Sequence, residues 1–394
     1  MKIALLCPAS LPATQFGGIM FLCLDLAKEM SKLEHEVNIF TTDLDFANNP
    51  NTFNKNLPRK EKIENFFINR SHVWFSIKLF YIAPASFFQL LKFNPQIIHT
   101  IGLRSFQSII AALVSKIKKI PLVISDQGGL TTHPDYTNGT KLKKLLYFFQ
   151  KPFINFIINQ ATKISVANQY EKEIFEQFNA VSKVEIIQNG INLSTFDTKN
   201  IQFKQKYKIS KNYFLFLGRF SKVKGIDTLI HAIHLLQNKD KLGNFQLVIM
   251  GVDFGFEKEM FEMIKKFNLS EFIKVIRQPP RDDVLAAYNE SEFLVLPSRW
   301  ELSPLTPLEG FVFKKAVISC NAHGIPFTIK NNENCILVTP GDSSQLADAI
   351  YDFIINKEKR KKFGESGYNQ VITECNSKEM ANKTLKLYNK ILNE

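Results

Sequence analysis

Two carboxylates eight positions apart, Glu301 and Glu309, stand in the run LVLPSRWELSPLTPLEG, residues 294–310. The apolar start reads as a strand, the first acid falls in the loop that follows, and the second falls inside a helix. Ser303 is a good N-cap and Pro304 a good first helical residue, so the helix is expected to begin there. Pro304 and Pro307 have no N–H, which leaves the amides of Leu305 and Thr306 free at the positive helix end, where an anion binds. Two acids beside such an end can hold separate groups of one ligand. A capped helix with a solvated Glu gives the same pattern, so the segment needs company.

That company is FLFLGRFSKVKGIDTLI, residues 214–230, in which an apolar run ends in Gly218, Arg219 follows at once, and Lys224-Gly225 opens an amphipathic stretch. Two cations at a strand end suit a diphosphate, Arg219 as a bidentate donor and Lys224 as a point charge; ordinary surface cations are the alternative. Gly17 and Gly18 follow the first apolar run and precede a helical period, so backbone can approach a ligand closely there. The spacing is not G-x-G-x-x-G, and paired glycines alone say little.

The elements that must position these residues alternate. Short apolar runs at 3–7, 37–41, 66–69, 96–99, 122–125, 163–166, 184–187, 213–217, 246–250, 273–276, 293–296, 316–319 and 335–338 are each followed by a helix-like period, the signature of parallel sheets flanked by helices. At 394 residues the chain exceeds what one core usually organises. Residues 1–190 and 191–375 are expected to form two doubly wound α/β domains facing each other across a cleft. A polar stretch at 189–211 is read as the linker, and a C-terminal helix at about 376–394 is expected to pack back on the first domain. Ligands in such sheets lie beyond the carboxyl ends of the strands, where the motifs above fall.

Taken together these residues resemble the retaining family 4 glycosyltransferases of the GT-B fold, the glycogen-synthase-like group. The E-x7-E pattern of Glu301 and Glu309 carries the resemblance, with FLGRFSKVKGIDTLIHAI, IIQNGINLSTF, the Gly17-Gly18 loop and NCILVTPGDSSQLADAI in support. The resemblance implies that Arg219 and Lys224 neutralise a diphosphate leaving group, Glu309 holds ribose hydroxyls and Glu301 the hydroxyls of a donor sugar. It also implies that Ser303, Leu305 and Thr306 line the donor site, the Leu305 and Thr306 amides meeting phosphate oxygens, while the Gly18 amide closes on the diphosphate. On the acceptor side the family's H-x-H is reduced to His99, with Ile101 in the second place, and the following histidine is replaced by Asp126 or Gln127.

The resemblance therefore implies a hexosyltransferase using a UDP- or GDP-linked sugar, with a sugar or lipid-linked acceptor. No cofactor and no metal are expected, because the resemblance implies that fixed cations and amides stabilise the leaving-group charge. A non-catalytic nucleotide or membrane binder, or a sugar phosphorylase on the same fold, are the alternatives. The net charge is +13, with 50 Lys plus Arg against 37 Asp plus Glu, and it is local. Residues 50–160 hold fifteen cations against Glu61, Glu64, Asp126 and Asp135. Within that window, 141–158 interleave Lys with bulky apolar residues at helical spacing, which fits a helix on anionic lipid as well as a core helix with a solvated Lys edge. No nucleic-acid module accompanies the charge. Five scattered cysteines and an apolar opening too short for a secretory signal lead to an expectation of a cytoplasmic protein, peripheral on the inner face of the membrane.

Overall fold

The computed structural model describes residues 1–46, 51–77, 79–128, 130, 132, 141–197 and 201–394, with backbone only at 141–144, 146 and 147. The chain divides into two compact units, unit 1 comprising 1–190 and 376–394 and unit 2 comprising 191–375.

Unit 1 runs β1 (Lys2–Leu6), α1 (Gly18–Lys32), β2 (Glu36–Thr42), β3 (Lys60–Ile63), β4 (Phe66–Ser71), β5 (Phe75–Ile77), β6 (Phe80–Ile82), α2 (Ala85–Phe93), β7 (Ile97–Ile101), α3 (Phe106–Lys118), β8 (Leu122–Ser125), α4 (Lys141–Gln160), β9 (Lys163–Val166), α5 (Gln169–Ile174) and β10 (Val184–Ile186). Its sheet has the order β10-β9-β8-β7-β1-β2-β4-β3 and is parallel apart from β3. Ile3 of β1 lies opposite Val37 on one side and Ile97 on the other, and these central strands are buried on both faces. That double burial is why they read as unbroken apolar runs.

The direction of chain progression fixes the helix layers. From β1 the chain moves outward through α1 to β2, whereas α2, α3 and α4 each carry it the opposite way along the sheet, to β7, β8 and β9. Right-handed crossovers then put α2, α3 and α4 together on one face and α1 on the other. Accordingly α3 packs against both α2 and α4.

Unit 2 contains α6 (Phe203–Lys206), β11 (Asn212–Leu217), α7 (Ile226–Asn238), β12 (Phe245–Gly251), α8 (Glu257–Lys266), β13 (Ile273–Arg277), α9 (Arg281–Glu290), β14 (Leu294–Leu296), α10 (Leu305–Val312), β15 (Val317–Cys320), α11 (Ile325–Thr328), β16 (Cys335–Val338), α12 (Ser343–Ile355) and α13 (Lys357–Thr373). Its parallel sheet has the order β13-β12-β11-β14-β15-β16. Strand order reverses between β11 and β14, so the switch point of this sheet lies between them. The chain then returns to unit 1 as α14 (Ser377–Asn393), which packs on α1.

Three details depart from the sequence reading. The stretch read as a linker contributes to the core of unit 2 at its described residues, with Phe196, Phe203 and Ile209 buried there. Three antiparallel strands, β3, β5 and β6, were not expected from an apolar pattern, because β3 alternates charged residues along a sheet edge and β5 is largely exposed. The helix after Glu301 starts at Leu305, not Pro304: Pro304 is extended (ψ 132°) and Ser303 makes no cap. The reason is local. The Glu301 carbonyl accepts the Gly324 amide at 3.0 Å, and a Cβ on Gly324 would lie 1.6 Å from the Leu302 oxygen, so residues 301–302 are held flat against α11.

Candidate functional site

The loops leaving β11 and β14 meet at the switch point of unit 2, and glycine makes the meeting possible. Gly225 has φ +68°, and a Cβ there would stand 2.1 Å from the Pro297 carbonyl oxygen. Only glycine permits both the left-handed backbone and that approach. The approach brings the turn Lys222–Lys224 beside Ser298–Glu301, and Lys224 Nζ forms an ion pair with Glu301 Oε1. Ser298 Oγ donates to the same oxygen at 3.0 Å. Both partners of the pair are less than one-fifth exposed, so water screens them weakly.

Arg299 locks the two loops together. Its backbone amide donates to the Val223 oxygen at 2.7 Å, its Nη1 to the Lys222 oxygen at 2.6 Å, and its guanidinium holds Asp227 through two bonds of 2.8 Å. Asp227 sits in the first turn of α7, where its charge also favours the helix end. Sequence reasoning missed both residues, although Arg299 lies in the PSRWE run and Asp227 two places after Gly225.

A small cavity opens at this junction, lined by Phe216, Lys224, Ser298, Glu301, Pro304 and Thr306. The first turn of α10 borders it. Pro307 lacks an N–H, so Leu305 and Thr306 supply the first-turn amides that no intrahelical carbonyl takes. Arg219, exposed just past β11, lays its guanidinium over the Phe254 ring at 5.0 Å and has no ion pair among the described residues. Stacking of this kind fixes the plane of the fork and leaves its edge donors to a ligand.

Glu309 lies in the second turn of α10 and is already engaged. Tyr288 of α9 donates its hydroxyl to Oε2 at 2.7 Å, and Arg281 Nη1 lies 3.1 Å from Oε1. Burial, with the Glu309 charge adding to it, holds the Tyr288 hydroxyl well above its ordinary pKa, so it stays a donor. These two partners orient the carboxylate, and neither was legible as a site residue.

In unit 1, Gly17 is the N-cap of α1 at φ +108°, a conformation that favours glycine, and Gly18 begins the helix. His99 differs from the expectation of an acceptor ligand. It is buried, its Nδ1 lies 2.6 Å from the Tyr388 hydroxyl of α14 and its Nε2 lies 2.9 Å from Ser125 Oγ, so both ring nitrogens are spent inside the protein. Burial pulls its pKa down to about 3, and the ring is neutral. Asp126 is buried too, and its Oδ2 accepts the Leu130 amide at 3.0 Å. Gln127, at φ +53°, exchanges two side-chain bonds with Asn189, of 3.1 and 3.2 Å. Asp126 and Gln127 thus shape the loop after β8.

Among the described residues, no three His, Cys, Asp or Glu side chains gather into a metal-binding group, and no helix is long and apolar enough to cross a membrane.

The family described as glycosyltransferase family 4 matches residues 16–195, and that described as glycosyl transferases group 1 matches residues 197–370. An uncharacterized glycosyltransferase of Methanocaldococcus jannaschii is 29% identical over 215 residues, 55% of this chain and 56% of that protein. The chain thus spans about half the length of that relative. Sucrose-phosphate synthase from Thermosynechococcus elongatus has a similar fold at 19% identity, with a TM-score of 0.77 over 99% of both chains. Anabaena HepE in complex with UDP and glucose is similar at 18% identity, with a TM-score of 0.76 over 99% of both chains.

Proposed function

We propose a reaction for a chain that belongs to the family 4 glycosyltransferases and has the GT-B fold: transfer of a hexose from a nucleotide-diphosphate sugar to a sugar or lipid-linked acceptor, in the synthesis of cell-surface glycans or glycolipids, with retention of anomeric configuration. The observation that carries this reading is that Lys224, Glu301 and Thr306 line one cavity at the switch point, with Arg219 just past the end of β11 and Glu309 in the second turn of α10.

Each residue then has a task. Arg219 and Lys224 meet the diphosphate, whose charge grows as the glycosidic bond breaks; the α10 amides take its oxygens; Glu309 accepts from the ribose hydroxyls and Glu301 from the sugar hydroxyls. Cations and amides fixed in place before the reaction stabilise that growing charge without reorganising. The acceptor hydroxyl oxygen bonds to the anomeric carbon on the face the diphosphate leaves. The C–O bond to phosphate breaks, and the hydroxyl proton passes to the departing phosphate oxygen. No divalent ion is assigned a step. We place the enzyme in the cytoplasm, peripheral to the inner membrane face, on the support of the basic window at 50–160.

A thermal-shift screen of UDP- and GDP-linked sugars tests the reading. The true donor raises the Tm by mass action, by about 2.7 kcal/mol of stability at a hundred times its Kd. Stabilisation by no nucleotide at all refutes it, and stabilisation by free phosphate alone points to a phosphorylase. Loss of turnover on adding EDTA refutes metal independence.

A further inference from the structure

Eleven of the eighteen large apolar side chains exposed among the described residues belong to one part of unit 1, the hairpin β5–β6 and the helices α2, α3 and α4. Trp74 is 71% exposed, Phe88 70%, Phe148 68% and Ile117 60%. Crossover handedness puts the three helices on one face of the sheet, and the contacts agree. Gln160 of α4 bonds to Ser115 of α3 at 3.1 Å, Lys116 of α3 lies over the Phe156 ring of α4, and Phe80 of β6 meets Phe106 of α3 edge-on at 6.2 Å. Within each helix the exposed positions form a stripe. Phe88 and Lys92 share a side of α2, Leu113, Lys116 and Ile117 a side of α3, and Leu145, Phe149 and Phe153 a side of α4.

Such stripes on a solvated helix normally carry mixed charges. Here none of the three helices, nor the hairpin, contains an Asp or Glu, while Lys92, Lys116, Lys118, Lys119 and Lys151 are exposed beside the apolar groups. Lys141, Lys143 and Lys144 belong to the same stretch of sequence, but their side chains lie outside the described residues.

Building on the peripheral placement proposed above, we infer that this whole helical face, hairpin included, and not residues 141–158 alone, is the surface that docks on an anionic lipid bilayer. Charge selects the occupant. A second copy meeting this face across a two-fold axis would set lysines against lysines, whereas anionic headgroups neutralise them. Aliphatic Leu113, Ile117 and Leu145 gain from hydrocarbon, and they would gain nothing from stacking on nucleic-acid bases.

Flotation of the full chain with phosphatidylcholine vesicles, with or without phosphatidylglycerol, tests the face. The wild type is expected to float only with phosphatidylglycerol and to be released by salt. Trp74→Ser, Phe88→Ser, Ile117→Ser and Phe149→Ser each remove a side chain already in water, so folding is unaffected. Each is expected to weaken partition roughly tenfold, the loss of one partly inserted large apolar group. If the wild type floats but Phe88→Ser and Ile117→Ser leave partition unchanged, the shared face is overturned while the peripheral placement stands. If the wild type ignores anionic vesicles at low salt, both fall. Self-association in solution that these substitutions abolish also overturns the lipid assignment. The Tm rise with sugar nucleotide, measured on the same variants, judges the transferase reading separately.

Discussion

Replacing Lys224 with Met removes the ammonium and keeps most of the stem. That ammonium is paired with Glu301, at 19% and 17% exposure of the two side chains, and Ser298 shares the carboxylate. A pair of this exposure lies between the surface and buried classes, so its loss costs stability about 1 kcal/mol, with Ser298 still bonded to Glu301. In a unit of nearly 190 residues this lowers the Tm by about 2–4 °C. Turnover is expected to respond on a different scale. Loss of one preorganised donor aimed at developing charge costs roughly 10² to 10³ in kcat, or about 3–4 kcal/mol. Nucleotide release from the best-binding sugar nucleotide, measured at saturating donor, isolates kcat, and differential scanning of the same samples gives the Tm. Glu301→Gln separates the partners, because it breaks the same ion pair while retaining the cation. A Lys224→Met enzyme with kcat within threefold of wild type overturns the leaving-group assignment. So does one whose activity loss is matched by a collapse in Tm.

Three further outcomes are expected. Glu309→Gln keeps an acceptor for Tyr288 and gives up the partly exposed ion pair with Arg281, so the Tm falls only slightly, yet nucleotide binding weakens at least tenfold by calorimetry; unchanged affinity sinks the ribose assignment. Asp227→Asn breaks the paired contact with Arg299 and loosens the loop that carries Lys224, so kcat drops more than donor affinity does, and equal losses in both would contradict a positioning role. Glu171, buried in the first turn of α5, has its carboxyl pushed up to about 8 by burial, with the charge of Asp126 adding to the rise. Between the unperturbed 4.5 and 8 the native state holds a proton that the unfolded chain has lost, so stability present below 4.5 is lost as pH rises through 8. Glu171→Gln should flatten the fall of Tm between pH 5 and 8. His99, pulled down to about 3, acts oppositely, its stability present above 6.5 and lost as pH falls toward 3, so it leaves the alkaline side of the profile untouched.

The parallel strands were legible because burial on both faces writes an unbroken apolar run, and β8, β9 and β16 occur at the residues expected. Where one face meets water or the strand is at an edge, as in β3 and β5, no such run exists. The site's charged residues stood out by type and by position after strands, but their partners did not. Arg299 finds Asp227 72 positions away, and His99 finds Tyr388 289 positions away. Distances of that kind are set by topology, and no local pattern encodes them. His99 shows the cost: a histidine after a strand invites a ligand, and only the returning helix reveals that its ring is used inside the protein.

That returning helix bears on the order in which the polypeptide can fold as it is made. The chain leaves unit 1 at Gly190 and re-enters it at Asn376, where a Cβ on Gly190 would lie 2.2 Å from the Asn376 oxygen, while Ile191 and Cys375 are joined by a backbone bond of 3.0 Å. Unit 2 is one uninterrupted segment and can finish as soon as its residues emerge from the ribosome. Unit 1 is begun first and finished last. Until residues 376–394 are synthesised, the side of α1 that α14 packs on stays uncovered and His99 waits for Tyr388. The half-made protein thus lacks the cover that α14 gives α1 for the whole time that unit 2 is being translated. A chain terminated after Cys375 would hold every residue of unit 2 attached to an unfinished unit 1.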